Sequence, residues 1–149
     1  MSKRKKIIVM VLILIPICVV IFMFIPKDKK SDKRMSITVG DKSFTAVLYD
    51  NKTADEFYSR LPMKLDMREL NGNEKYYDLD KPLTADSSVA GHISKGDIKL
   101  FGDDCIVLFY DGFMSGYSYT NIGYIEDTDG LEAALGSGNV SVEFSAGQR

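Results

Sequence analysis

The chain of 149 residues has no tryptophan, a single histidine (His92), two cysteines and four prolines. Each scarcity removes a class of chemistry. One imidazole cannot furnish the repeated His and Cys ligands of a zinc site. His92 stands in "AGHISKG", and neither "GHISKG" nor "GFMSG" has the Gly-x-Ser-x-Gly spacing of a nucleophile elbow, so His92 reads as a loop residue rather than a triad member. Cys18 lies in a long apolar run and Cys105 in a strand-like one, so the two do not pair within one chain. Cys105 reads as a small buried hydrophobe. A Gly-rich phosphate loop is also missing, since "GSG" at 136–138 suits a helix stop and a turn. The acid pairs Asp103-Asp104, Asp78/Asp80 and Asp127/Asp129 lack the calcium-loop register and its distal Glu, and fit turns and caps instead. No metal and no cofactor are expected.

What is present begins with "IIVMVLILIPICVVIFMFI", residues 7–25, nineteen residues without a charge or a polar amide. As a helix the run is about 28 Å long, close to the roughly 30 Å of bilayer hydrocarbon. Pro16 is its one breaker, tolerated in a membrane helix as a kink. A cleaved signal peptide would need small residues at its exit, but "IFMFIPK" is bulky throughout. The segment is therefore expected to be an uncleaved single-pass anchor at the cell membrane. Four Lys/Arg precede it and five follow, which nearly balances the charge rule. The short tail 1–6 is easily retained in the cytoplasm, placing the C-terminal domain outside.

Charge divides the chain. Residues 1–34 carry nine Lys/Arg and two Asp, a net of +7, whereas 35–149 carry ten Lys/Arg and nineteen Asp/Glu, a net of −9. The basic part suits anionic headgroups. The acidic part is repelled by phosphate backbones, so nucleic acid is not an expected partner. Residues 26–34 read as a charged linker, in which "KDKKSDKR" spans at most about 29 Å when extended. Residues 35–149 read as one domain.

Within that domain "SITVG" and "SFTAVLYD" flank Gly40-Asp41-Lys42 as an opening hairpin. In "NKTADEFYSRL" a helix is expected, with Thr53 and Glu56 at capping-box spacing and Pro62 as its stop. "MKLDMREL" alternates, and Asn71-Gly72 supplies the two positive-φ positions of a tight type I′ turn into "EKYYDL". A loop is expected from Asp80 to Lys95. "DIKLF" and "CIVLFY" flank "GDD" as another hairpin, the second strand apolar enough to be buried on both faces. "TNIGYIE" is strand-like, "DGLEAAL" a short helix closed by Gly136, and "NVSVEF" a last strand. About eight short strands with two helices predict a mainly β fold, a small closed barrel without exposed edges.

Four stretches, "ITVGDKSFTAVLYDNKTADEFYSRLP", "LNGNEKYYDL", "GHISKGDIKLFGDDCIVLFY" and "YTNIGYIEDTDGLEAALGSGNVSVEF", resemble in order the bacterial cyclophilin-like domain family. The resemblance implies a cyclophilin-type β-barrel related to the prolyl isomerases. True cyclophilins carry a Phe-His-Arg run on the strand after the first helix, then Gln-Gly-Gly-Asp. Here Arg68 falls in a similar place but follows Asp66-Met67, and no Gln-Gly-Gly-Asp exists. Arg68 is thus the candidate catalytic donor only if the chain is an isomerase; otherwise it is a solvated strand residue beside Asp66 or Glu69.

The remaining density is "FYDGFMSGYSYTNIGY", residues 109–124, with six aromatic rings in sixteen positions. Phe109 is expected in the core, as is Tyr124 on one face with Ile122. Phe113, Tyr117 and Tyr119 lie in "DGFMSGYSYT", where Gly112 and Gly116 interrupt regular structure, and are expected at a barrel rim, joined by Tyr76, Tyr77 and Tyr110. The leading reading is a membrane-anchored, non-catalytic module binding a peptide segment or small ligand at that rim. The alternatives are a peptidyl-prolyl isomerase using Arg68 near the membrane, and a structural barrel that docks a partner protein.

Overall fold

The computed structural model describes residues 28–147. The expected anchor 7–25 and the tail 1–6 lie outside the described residues, among which no helix is long and apolar enough to cross a membrane. The described residues form nine strands and two short helices. These are β1 (Lys30–Val39), β2 (Lys42–Tyr49), α1 (Lys52–Ser59), β3 (Met63–Leu70), β4 (Glu74–Asp78) and β5 (Ser88–Ile93). They continue with β6 (Asp97–Phe101), β7 (Cys105–Phe109), β8 (Phe113–Ile125), α2 (Leu131–Leu135) and β9 (Val140–Ala146).

Eight strands close on themselves in the order β2-β1-β9-β3-β4-β7-β6-β8, and β8 returns to β2 through Ala46↔Ile125, Val47↔Tyr124 and Leu48↔Gly123. Every pairing in the circuit is antiparallel. Closure leaves the circuit without an open edge. The expected mainly β, closed barrel of about eight strands with two helices is what the chain forms. Inward positions recur every second residue, as in Leu65 and Met67 of β3 or Ile106 and Leu108 of β7, all buried in one cluster. Phe57 of α1 packs edge-on against Phe144 of β9 at 5.7 Å between ring centres. Leu131 and Leu135 of α2 join the same cluster.

Gly123 marks the closure point. A Cβ there would lie 2.5 Å from the Val47 carbonyl oxygen and 3.3 Å from Leu48 Cα, both backbone atoms that cannot swing aside. Gly123→Ala is expected to lose about 1–3 kcal/mol of stability, the usual range for forced overpacking. Denaturant unfolding measures it, and an unchanged midpoint would contradict this account of the seam.

The ninth strand is the main departure from expectation. β5 lies inside the expected loop 80–95, and β8 runs through 113–119, where Gly112 and Gly116 had suggested broken structure. The two pair from Ser88↔Tyr119 to Ile93↔Phe113, so each supplies the other's hydrogen bonds. Together they make a two-stranded arm projecting from the barrel circuit. β1 begins at Lys30, inside the segment read as linker, where Ser31 Oγ donates to the Leu48 carbonyl at 3.1 Å. The barrel domain therefore starts earlier than residue 35.

Local chemistry differs at three further points. The cap of α1 is Asn51, in extended backbone at φ −147°, whose side chain accepts from Ala54 N at 2.8 Å. Thr53 and Glu56 form no capping box. Thr53 Oγ1 donates to the Thr84 carbonyl at 2.5 Å, and the Glu56 carboxylate accepts from Thr84 N at 2.7 Å and from its hydroxyl at 2.8 Å. Between β3 and β4, Asn71 (φ 56°) and Gly72 (φ 69°) have the expected positive angles, but Leu70 pairs with Glu74, so Asn73 adds a third loop residue. Tyr124 is only half-buried and leaves the core to Ile122 and Ile125, because a register shift opposite Ile98 and Lys99 breaks the alternation of β8. Its ring lies 5.8 Å from Tyr49, under Lys30 at 4.7 Å.

Candidate functional site

Strand alternation on β4 puts Glu74, Tyr76 and Asp78 on the outer barrel face and Lys75 and Tyr77 inside. On β7 the same rule turns Cys105, Val107 and Phe109 outward, where the arm covers them. Val107 and Phe109 are buried with Ile93 and Tyr119 in a second small cluster, separate from the barrel core. Phe109 is its hub, 5.7 Å from the Phe113 ring and 5.7 Å from the Tyr119 ring.

Between arm and barrel this leaves a groove of about 630 Å³. That volume lies within the roughly 300–1,000 Å³ of ligand sites. Its floor is Glu74, Tyr76 and Val107, its wall Phe113, Tyr117 and Tyr119. One end is Leu70 and Asn71; the other is the β6–β7 turn with Phe101, Gly102 and Asp104. Phe101 stands 6.2 Å from Tyr117 and 5.5 Å from Tyr119, edge-on to the first and tilted to the second. Tyr119 is buried and Phe113 half-buried, while Tyr117 is 68% exposed.

Of the expected rim, Tyr76, Phe113, Tyr117 and Tyr119 meet in this groove. Tyr77 and Tyr110 do not. Tyr77 packs against the barrel core, one residue out of phase with Tyr76. Tyr110 follows outward Phe109 and so turns inward, donating its hydroxyl to Glu69 at 2.6 Å. It borders a different depression of about 800 Å³ against α2, with Lys95 and Glu132. His92 is exposed on β5, Nδ1 lying 3.3 Å from Ser94 Oγ, and borders a small polar depression of about 290 Å³. Arg68 is outside the groove lining but beside it. Its Nη2 donates to Asp78 at 2.6 Å, and the guanidinium lies 4.6 Å over the Tyr76 ring. The donor is thus committed to a neighbouring carboxylate.

A scan against protein families matches the cyclophilin-like family over residues 37–145. The chain belongs to the cyclophilin-like family. No curated protein matches it. The matched span runs from β1 into β9 and so takes in nearly the whole cyclophilin-like barrel together with the arm.

Electrostatics separate the residues of the cyclophilin-like groove. Glu74 is 7% exposed, and burial, then the charge of Glu69, holds its carboxyl above the ordinary range. Burial raises the Tyr119 phenol as well, with the Glu74 charge as the next cause. Cys105 is pushed up to about 12, first by burial and then by the Asp78 carboxylate beside it. Its thiol is therefore a poor nucleophile. In a Cys18→Ser chain at pH 8, Cys105 is expected to react with a disulfide reagent roughly fiftyfold slower than an ordinary thiol, the smaller thiolate fraction outweighing its higher nucleophilicity. Reaction at the ordinary rate would show the thiol to be open and ionisable. No group of three His, Cys, Asp or Glu among the described residues is arranged to hold a metal ion.

Glu74, Asp78, Asp104 and Phe101 are groove residues that sequence reasoning missed. The alternation of "EKYYD" carried the signal for the first two, since it aligns them with Tyr76. Phe101 carried none, because the exposed end of "DIKLF" looks like any strand terminus.

Proposed function

We propose that the chain is a non-catalytic binding module that holds a peptide segment or small ligand in the aromatic groove between arm and barrel. The convergence of Tyr76, Phe113, Tyr117 and Tyr119 on one cavity carries this reading. Rings partly open to solvent around a concavity offer large contact area with little entropy to lose. We further propose that residues 7–25 anchor the module in the cell membrane with its domain outside. Carbonate extraction should then leave the chain in the membrane pellet, and external protease should remove the domain. Recovery in the supernatant would contradict the anchor.

Isomerase activity is the second reading, favoured by the position of Arg68 beside an aromatic groove. Rotation about a prolyl bond faces a barrier of about 18–20 kcal/mol, which a positioned donor must help to lower. The Arg68 guanidinium already bonds Asp78, so it would have to exchange partners to serve. The test is NMR exchange spectroscopy on short X-Pro peptides with the chain added. Groove shifts without faster cis/trans exchange are expected. Faster exchange that disappears in Arg68→Ala would replace the binding reading with the isomerase.

A further inference from the structure

The groove has an acidic lining in which one carboxylate is largely buried without a partner among the described residues. Three of its lining residues are acidic, Glu74, Asp78 and Asp104, and none is Lys or Arg. Asp78 is bonded by Arg68. Asp104 is exposed in the β6–β7 turn. Glu74 differs from both. It is more than nine-tenths buried, it borders the cavity, and its carboxylate has neither a hydrogen bond nor a cation among the described residues. Its oxygens are not sealed off but stay open to the groove, so a largely desolvated carboxylate can gain a partner only from that side.

What would satisfy Glu74 follows from its neighbours. Tyr76 beside it already carries the Arg68 guanidinium 4.6 Å over its ring, and Tyr117 and Tyr119 opposite add two more rings of the kind that attracts a cation and repels an anion. The rest of the lining, Leu70, Val107 and Phe113, suits an alkyl stem. Five residues of β4 run along the floor, about 14 Å of strand, which matches some four residues of an extended chain. We propose that the groove binds a lysine-bearing peptide segment, the lysine ammonium donating to Glu74 among the tyrosine faces and its aliphatic stem lying on Leu70 and Val107. This rests on the groove being the binding site. An incoming ammonium supplies the missing countercharge and keeps Glu74 ionised in the complex.

The experiment is amide NMR titration of the whole chain with three probes. They are the blocked peptide Ala-Ala-Lys-Ala-Ala, the same peptide with norleucine for lysine, and n-butylamine. Norleucine keeps the stem and removes the charge. The lysine peptide should bind at least tenfold tighter than the norleucine peptide and than n-butylamine, with shifts at Glu74, Tyr76 and Tyr117. Glu74→Gln, which keeps the side-chain shape, should erase the preference for lysine, weakening the lysine peptide at least tenfold more than the norleucine peptide. If that variant misfolds, Tyr117→Leu should weaken the lysine peptide several-fold more than the norleucine one. Equal binding of both peptides in the groove would overturn the ammonium proposal while leaving the groove as a site. Butylamine binding as tightly as the lysine peptide would overturn the peptide assignment. No groove shifts with any probe would overturn the proposal along with the reading it rests on.

Discussion

Replacing Lys75 with alanine is expected to cost about 3–5 kcal/mol, the range for breaking a buried ion pair from one side. Lys75 is 0% exposed, a lysine turned into the barrel. Its ammonium pairs with the Glu69 carboxylate and donates to the Gly136 carbonyl at 2.8 Å and the Gly138 carbonyl at 2.6 Å. It also lies 5.2 Å from the centre of the Tyr110 ring. One side chain thus satisfies the carbonyls that follow α2 and holds that segment against β3 and β4. Truncation leaves Glu69 Oε2 without its cation and two carbonyls without a donor around a void, while Glu69 Oε1 keeps its bonds from Tyr110 and Gly72. Lys75→Met keeps most of the stem, so its smaller loss isolates the polar part, and a cycle with Glu69→Gln measures the coupling.

Acid should shrink the difference between the parent and Lys75→Ala chains. Burial by itself would raise the Glu69 pKa, but the bonds from Lys75 and Tyr110 outweigh it and hold the carboxyl below the ordinary range. A folded pKa below the unfolded one contributes stability that is complete above the ordinary glutamate range. That contribution is lost as the pH falls through the lowered value. Denaturant unfolding at neutral pH and in acid checks both claims. A loss below about 1 kcal/mol at neutral pH, the level of an exposed ion pair, would show that Lys75 is solvated.

Phe109→Ala should cost a similar amount, about 3–5 kcal/mol for a buried Phe, with a different consequence. Phe109 is fully buried, yet it belongs to the cluster outside the barrel, in contact with Phe113 and Tyr119. Its loss therefore loosens the arm before the barrel. Amide exchange should quicken in β5 and in 113–119 and hardly change in β1, β9 or β3. A cavity of that size at the root of the arm also displaces the groove wall, so ligand affinity should fall although Phe109 touches no ligand. Uniform acceleration across the barrel would place Phe109 in the common core and remove the arm's independence.

The barrel was legible because its strands obey simple rules. "MKLDMREL" alternates cleanly, and "CIVLFY" is apolar at every position because barrel core and arm cover its two faces. The arm was hidden for the opposite reason. Gly112 and Gly116 look like breaks, yet an added Cβ at Gly112 would meet the Ile93 carbonyl oxygen at 3.2 Å, so that glycine lets β5 and β8 come together. Ser88–Ile93 has little apolar pattern of its own and becomes a strand through pairing with β8. Lys75 was unreadable too, since a strand lysine normally faces water and only the carbonyls after α2, more than sixty residues on, turn it inward. The candidate site was half legible. Composition marked 113–119 and alternation separates Tyr76 from Tyr77, but the groove exists only once the arm folds over β4 and β7.

The most direct test is to map amide shifts over the whole chain with a mixture of short peptides of varied sequence. The account predicts perturbations at Glu74, Tyr76, Gly102, Phe113 and Tyr117, with Lys95, Ala133 and Ser137 in the depression by α2 unmoved. Perturbations gathered at α2, or spread over the acidic surface without focus on the groove, would contradict it.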